Sequence, residues 1–271
     1  MHSVRLPQGG IVTSRLGFGT ARLHHVSAGE RQRLLAAAAE RGIVHFDTAP
    51  CYGDGLAERA LGRFLKSGRD RYVVATKYGL PADPLVSLLG LPARAARSVV
   101  RGAGWWPQAR PALCAPDLRA SVHASLRRLQ TDRIDILFLH EPALQRFRSL
   151  AEVLDEMRRL QEAGHVRAIG LAGRWCDVAA VADAASGLPL ILQTAETEWD
   201  GPRVPDITYS AMMRGPQRAF AAAIDPSSAV ERLCAALRRR PDGVVLISTT
   251  RIDHLDALAA AAQSEQACCT T

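Results

Sequence analysis

Four residues of this chain could move a proton together: Asp47, Tyr52, Lys77 and His140. Asp47 closes the apolar run IVHFD (43–47), and Tyr52 follows on a loop punctuated by Pro50, Gly53 and Gly55. Lys77 closes YVVATK (72–77), and His140 closes IDILFLH (134–140). Taken singly, each has an ordinary structural role, since a strand-end Asp caps or turns the chain and a lone His or Tyr packs. Taken together they form an acid. A tyrosine hydroxyl titrates near about 10, and an ammonium beside it favours the phenolate and brings that value down. A carboxylate holds the ammonium, and a histidine on the other side orients a carbonyl or helps pass the proton. Such a set suits proton donation to a carbonyl oxygen. The partner step is hydride delivery to the carbonyl carbon, which needs a nicotinamide cofactor.

These residues act together only if the elements bring them to one place. Apolar runs alternate with Ala/Leu/Arg helical patterns along the whole chain. Strands are expected at 15–20, 43–47, 72–77, 134–140, 166–172, 188–194, 206–210 and 243–249. Helices are expected at 28–41, 56–67, 116–130, 149–163, 176–186, 227–240 and 252–263. This rhythm in a chain of 271 residues predicts an α/β fold, a (β/α)8 TIM barrel forming a single domain over 1–271. Such barrels carry their chemistry at the C-terminal ends of the strands, where Asp47, Lys77 and His140 stand. Only AETEWDGPRVP (195–205) separates strands six and seven, and its Gly and two Pro predict a shortened or missing sixth helix. SVRLPQGGIVTSRLG (3–17) reads as an N-terminal β-hairpin turning at Gln8-Gly9-Gly10, placed to cap the barrel's bottom. Residues 80–115 read as a long loop after strand three. Its Trp105 and Trp106 either anchor the loop or wall the substrate pocket.

Composition narrows the function classes. The net charge of +7 comes from arginines scattered over helix faces, with no basic block interleaved with aromatics, so nucleic acid is not an expected partner. No apolar run approaches membrane-spanning length. Six cysteines without a C-x-x-C pair, and no secretory pattern, predict free thiols in the cytoplasm. His45, Asp47, His140 and Glu141 raise a metal-dependent hydrolase, but no further ligand with suitable spacing follows. Cys51 has no base placed to activate it and reads as a bystander. His24-His25 read as loop residues near the barrel mouth.

With these residues in view, the sequence resembles the aldo-keto reductase superfamily. The matching stretches are LGFGTARL (16–23), FDTAPCYGDGLAERALGRFL (46–65), VVATKYG (73–79), LRASVHASLRRLQTDRIDILFLHEP (118–142), VRAIGLA (166–172), ITYS (207–210) and VVLISTTRIDHLDAL (244–258). The resemblance implies an NADP(H)-dependent oxidoreductase, with NAD(H) the lesser alternative, acting on a small-molecule aldehyde or ketone or the corresponding alcohol. It implies Tyr52 as general acid/base with Lys77, Asp47 and His140 around it, and Glu58 in a supporting place. Gly19 and Thr20 would lie beside the cofactor. Gln193 would bond the nicotinamide carboxamide, Tyr209 would stack on its ring and Ser210 would approach the pyrophosphate. Ser248, Thr249, Thr250, Arg251 and His254 would surround the adenosine 2′-phosphate.

The chain departs from the family pattern in places. Ala172-Gly173 stands where Ser-Asn usually grips the carboxamide, Ala211-Met212 replaces Pro-Leu, and Ser248 and Leu258 replace a basic residue and an Asn. These departures keep two alternatives open: a non-catalytic NADP(H)-binding regulatory subunit on the same scaffold, and a redox-neutral enzyme using the same four residues.

Overall fold

The computed structural model describes residues 1–82, 111–185, 187–212 and 226–269. Trp105, Trp106 and most of the 80–115 loop lie outside the described residues. A two-stranded antiparallel hairpin, β1 (Ser3–Arg5) and β2 (Val12–Ser14), precedes eight parallel strands. These are β3 (Leu16–Gly19), β4 (His45–Asp47), β5 (Val73–Tyr78), β6 (Ile134–His140), β7 (Val166–Ala172), β8 (Ile191–Ala195), β9 (Ile207–Tyr209) and β10 (Val244–Ile247), closed into a barrel in chain order. The helices are α1 (Ala28–Glu40), α2 (Leu56–Leu65), α3 (Ala115–Leu129), α4 (Leu150–Glu162), α5 (Trp175–Ala184), α6 (Pro226–Arg239) and α7 (Ile252–Cys269). This is the predicted (β/α)8 barrel with its hairpin. As expected, β8 and β9 are joined by turns and irregular chain (196–206) with no helix between them.

The strands are buried on both faces, as parallel strands under helices must be, and alternate residues share a face. The register aligns His45 with Val73, Lys77 with Phe138, His140 with Ala172 and Ala172 with Gln193. Inward positions low in the barrel are apolar and pack as one cluster: Val73, Ala75, Ile136, Phe138, Ala168, Ile191, Ile207 and Val244. The hairpin adds Val4, Leu6 and Ile11 to that cluster and so plugs the bottom. Gln8 at the hairpin's turn donates to Pro189 O at 2.7 Å and accepts from the Ile169 amide, pinning the plug to β7 and to the chain entering β8. Phe138 fills the centre because Gly170 beside it has no side chain; a Cβ there would lie 2.7 Å from the Phe138 ring and 2.2 Å from Ile191 O. His45 shares this lower layer, fully buried, with Thr13 Oγ1 3.3 Å from its Nδ1.

Where the sixth helix is missing, the chain supplies a wedge. Trp199 is buried, with the Arg239 guanidinium 3.6 Å from its ring centroid. Arg239 also donates to Trp199 O at 2.6 Å and pairs with Glu196 at 3.3 Å. The final helix runs to Cys269, beyond the expected 263, because SEQACC contains no Gly or Pro to stop it. Arg238 of α6 bonds Glu265 on that extension.

Candidate active site

At the top of the barrel the inward positions change from apolar to polar. Gly19, Asp47, Lys77, His140, Ala172, Gln193, Tyr209 and Ser248 stand at or next to the C-terminal ends of the eight strands. They line one cavity of about 670 Å³, together with Tyr52 from the loop after β4. The four residues singled out for proton chemistry therefore meet in one place.

Lys77 Nζ donates to Asp47 Oδ1 at 2.5 Å and to Thr48 O at 2.9 Å, and both side chains of the ion pair are buried. The same ammonium lies 5.0 Å from the centroid of the Tyr52 ring. His140 meets that ring edge-on, with centroids 6.3 Å apart and planes at 89°. A short turn places the tyrosine: the Tyr52 amide donates to Ala49 O at 3.1 Å, and Gly55, at φ 79°, caps α2 where a Cβ-bearing residue would be strained.

The electrostatics differ from the sequence expectation in one respect. The ammonium should bring the tyrosine hydroxyl down, yet burial, reinforced by the Asp47 carboxylate, pushes Tyr52 well above the ordinary tyrosine value. Lys77 is held against Asp47, so its charge is offset by its partner's, and desolvation of a phenolate decides the sign. Tyr52 consequently keeps its proton at neutral pH. Burial likewise raises Tyr209 and brings the Cys51 thiol up to about 11, so Cys51 stays protonated beside His140, 4.0 Å from Nδ1.

Glu58 is fully buried outside the cavity. It accepts from Thr76 Oγ1 at 2.7 Å and from Arg128 Nε at 2.5 Å, tying α2 to β5 and α3 behind Lys77.

Gln193 carries the observation that bears on a nicotinamide nucleotide. Its Nε2 donates to Asp47 Oδ2 at 3.0 Å, while its Oε1, buried on the cavity wall, has no hydrogen-bond partner. Buried acceptors left unmade are costly, and an amide N–H from a ligand in the cavity would satisfy this one. The Tyr209 and Gly19 positions frame the same space. At Gly19 a Cβ would fall 2.5 Å from Ser248 Oγ, which donates to Gly19 O at 3.0 Å. The residues present fit the group.

Not every expected ligand-binding residue reaches the cavity. Ser210 and Ser248 line it, whereas Thr20 is fully buried, its amide donating to Asp47 O at 2.9 Å. Thr249, Thr250, Arg251 and His254 lie beyond its edge, where Arg251 grips Asp253 and the Arg251 amide donates to Thr249 Oγ1 at 3.1 Å. His24 and His25 stack on each other, with centroids 3.9 Å apart, outside the cavity lining. Among the described residues no cluster of His, Cys, Asp and Glu could hold a metal ion, and no helix is long and apolar enough to cross a membrane.

Sequence reasoning missed Arg22, Thr197 and Glu198, which also line the cavity. Glu141, weighed in the sequence only as a metal ligand beside His140, lines it too. Glu198 stands on the irregular segment that replaces the sixth helix, and its carboxylate accepts from the Trp175 amide at 3.2 Å, at the N-terminus of α5. Gly173, where the family usually has Asn, is pressed by the loop after β6: a Cβ there would lie 3.0 Å from Glu141 Cα and 3.2 Å from Pro142 Cδ.

Comparisons with known proteins place this architecture. The sequence model of the Aldo/keto reductase family matches residues 15–199. A D-threo-aldose 1-dehydrogenase from a Pseudomonas species is 33% identical over 208 residues, 68% of this chain and 57% of that protein. An L-galactose dehydrogenase from Arabidopsis thaliana is 31% identical over 180 residues, 62% of this chain and 47% of that protein. The chain thus spans about half the length of these curated relatives. Among solved structures, an aldo-keto reductase from Bacillus halodurans in its holo form has a TM-score of 0.70 at 20% identity, covering 97% of this chain and 91% of that one. One from Klebsiella pneumoniae, in complex with NADPH, has a TM-score of 0.68 at 21% identity, covering 97% and 90%.

Proposed function

The chain belongs to the aldo/keto reductase family, and from that premise we propose that it is an NADP(H)-dependent oxidoreductase interconverting a small aldehyde or ketone and its alcohol. One observation carries the reading: Tyr52 is flanked by the Lys77–Asp47 pair and by His140 in a single cavity. The nucleotide, when bound, supplies the hydride for the carbonyl carbon. Gln193 would receive the carboxamide through its open Oε1, and Tyr209 would wall the ring. Arg251 is exposed, and its pairing with Asp253 is a surface pair of little worth. It is therefore a cation that a 2′-phosphate could recruit, which favours NADP(H) over NAD(H).

Tyr52 holds its proton at neutral pH because of its burial, which is the form a general acid needs. The substrate oxygen takes that proton as negative charge develops on it. The Lys77 ammonium then stabilises the phenolate left behind. Asp47 keeps the ammonium in place from one carboxylate oxygen and is itself held by Gln193 on the other. His140, whose ring meets the Tyr52 ring edge-on, orients the carbonyl. Run backwards, the same residues accept the proton of an alcohol.

The test is Tyr52→Phe, read by NADPH fluorescence titration and by NADPH oxidation with a panel of aldehydes. The names of two relatives, both dehydrogenases, add aldoses with NADP+ to the test, read by NADPH formation. Turnover should vanish while nucleotide binding persists; retained turnover refutes the assignment. A nucleotide-binding protein without turnover is the second reading. It draws on Ala172-Gly173, which offers no side-chain donor or acceptor to the carboxamide. Wild-type protein that binds NADPH and reduces no carbonyl would favour it.

A further inference from the structure

Arg146 has no place in the assignments above, yet its side chain ties two residues of the cavity lining, His140 and Glu141, to the neighbouring chain at Gly79 and Pro111. It lies on the turn after the loop that leaves β6, and it is only 8% exposed. Its Nη1 donates to His140 O at 2.9 Å and to Glu141 O at 2.6 Å. Its Nη2 donates to Gly79 O at 2.6 Å and to Pro111 O at 3.0 Å, and Nε donates to Pro111 O at 3.3 Å. Four backbone carbonyls from three chain segments thus converge on one guanidinium. They are the residues just beyond β5, the end of β6, and the chain entering α3.

The backbone there explains why a collector is needed. Glu141 sits at φ 53° and Gly79 at φ 129°, so both strands turn sharply where their ladder ends. A Cβ on Gly79 would lie 2.7 Å from His140 O, which shows how closely the two turns are packed. Carbonyls leaving a ladder into a buried region must find donors. Lysine offers one compact ammonium, whereas arginine offers a planar fork that reaches several acceptors at once. The Arg146 backbone extends the clamp: its carbonyl accepts from the Leu113 amide at 2.7 Å, and Arg148 N donates back to Leu113 O at 3.1 Å.

We propose that Arg146 is the positioning residue of this site, setting the peptide plane that carries the His140 imidazole and locking it to Gly79 and Pro111. The proposal rests on the reading of His140 as substrate-orienting, and its test separates the two. Arg146→Met is compared with wild type by thermal melting, by NADPH titration, by kcat and KM for the carbonyl, and by NMR of histidine labelled at Cε1. The expected result is a folded protein with unchanged NADPH affinity and a displaced His140 resonance. The signals of His45, His123 and His165 should stay fixed. The fall in kcat should be on the order of 100-fold, the loss that follows a misplacement of about 1 Å. A folded variant with the wild-type His140 resonance overturns the proposal, whatever its activity. Should Arg146→Met not fold, Arg146→Lys carries the same comparison, because an ammonium cannot reproduce the fork. If wild-type protein reduces no carbonyl, the functional reading fails, and the His140 resonance still decides the role of Arg146.

Discussion

Lowering the pH should weaken the fold through one side chain, His45. Its ring is fully buried in the lower barrel layer, with Thr13 Oγ1 3.3 Å from Nδ1 and no partner for Nε2. Burial, opposed only in part by the Asp47 carboxylate, holds its pKa at about 4 against an ordinary 6.5. The native imidazole therefore binds its proton roughly 300-fold more weakly than the unfolded one. A base whose native pKa is lowered contributes its full stability above the unfolded value and loses it as pH falls from there toward the native value. At about 1.4 kcal/mol per pH unit, the whole window is worth about 3 kcal/mol, and about 2 kcal/mol is gone by pH 5. Urea unfolding of wild type and His45→Asn at pH 7 and pH 5 isolates this contribution, because other titrating groups are common to both. Wild type should lose about 2 kcal/mol more than the variant between the two pH values. Equal losses would refute the reasoning, as would an NMR titration of native His45 with a midpoint near 6.5.

Two further outcomes follow from the buried groups around the site. Glu58→Ala leaves the Arg128 guanidinium and the Thr76 hydroxyl without their shared acceptor. It should cost about 3–5 kcal/mol by chemical denaturation; a loss under 1 kcal/mol would show that the pair is dispensable. Cys51 holds its proton up to about pH 11, so iodoacetamide at pH 8 should label exposed Cys176 first. Peptide mapping that finds Cys51 modified before Cys176 would contradict its protonated state.

Much of this architecture is legible in the sequence because parallel strands announce themselves as apolar runs. IDILFLH and VRAIGLA are strands over the expected residues, and Asp47, Lys77 and His140 stand at strand ends as read. The period of two carries the reading further, since it puts the last inward residue of each strand at the cavity. What the sequence does not show is long-range pairing to backbone. Nothing in HEPALQRF marks Arg146 as the partner of carbonyls at 79 and 111, because carbonyls have no residue type. The same holds for Glu198, whose acceptor role at α5 depends on a turn that Pro and Gly mark only as irregular. The tyrosine's electrostatics stay hidden in the sequence for a related reason. The presence of Lys77 can be read from the chain, but its neutralisation by Asp47 is a matter of 2.5 Å.

The segment 196–206 has a consequence beyond the site. Here the barrel closes with one outer stave absent, its place taken by Trp199 against Arg239. Closure is therefore a property of the ring of strands, and the helical ring is dispensable at one position. Between Trp199 and Asp206 the chain passes Gly201 and the exposed Val204. Foreign sequence spliced in at 201–204 would interrupt no ladder and no helix, which makes this the natural seam for grafting a reporter or a second module onto the scaffold.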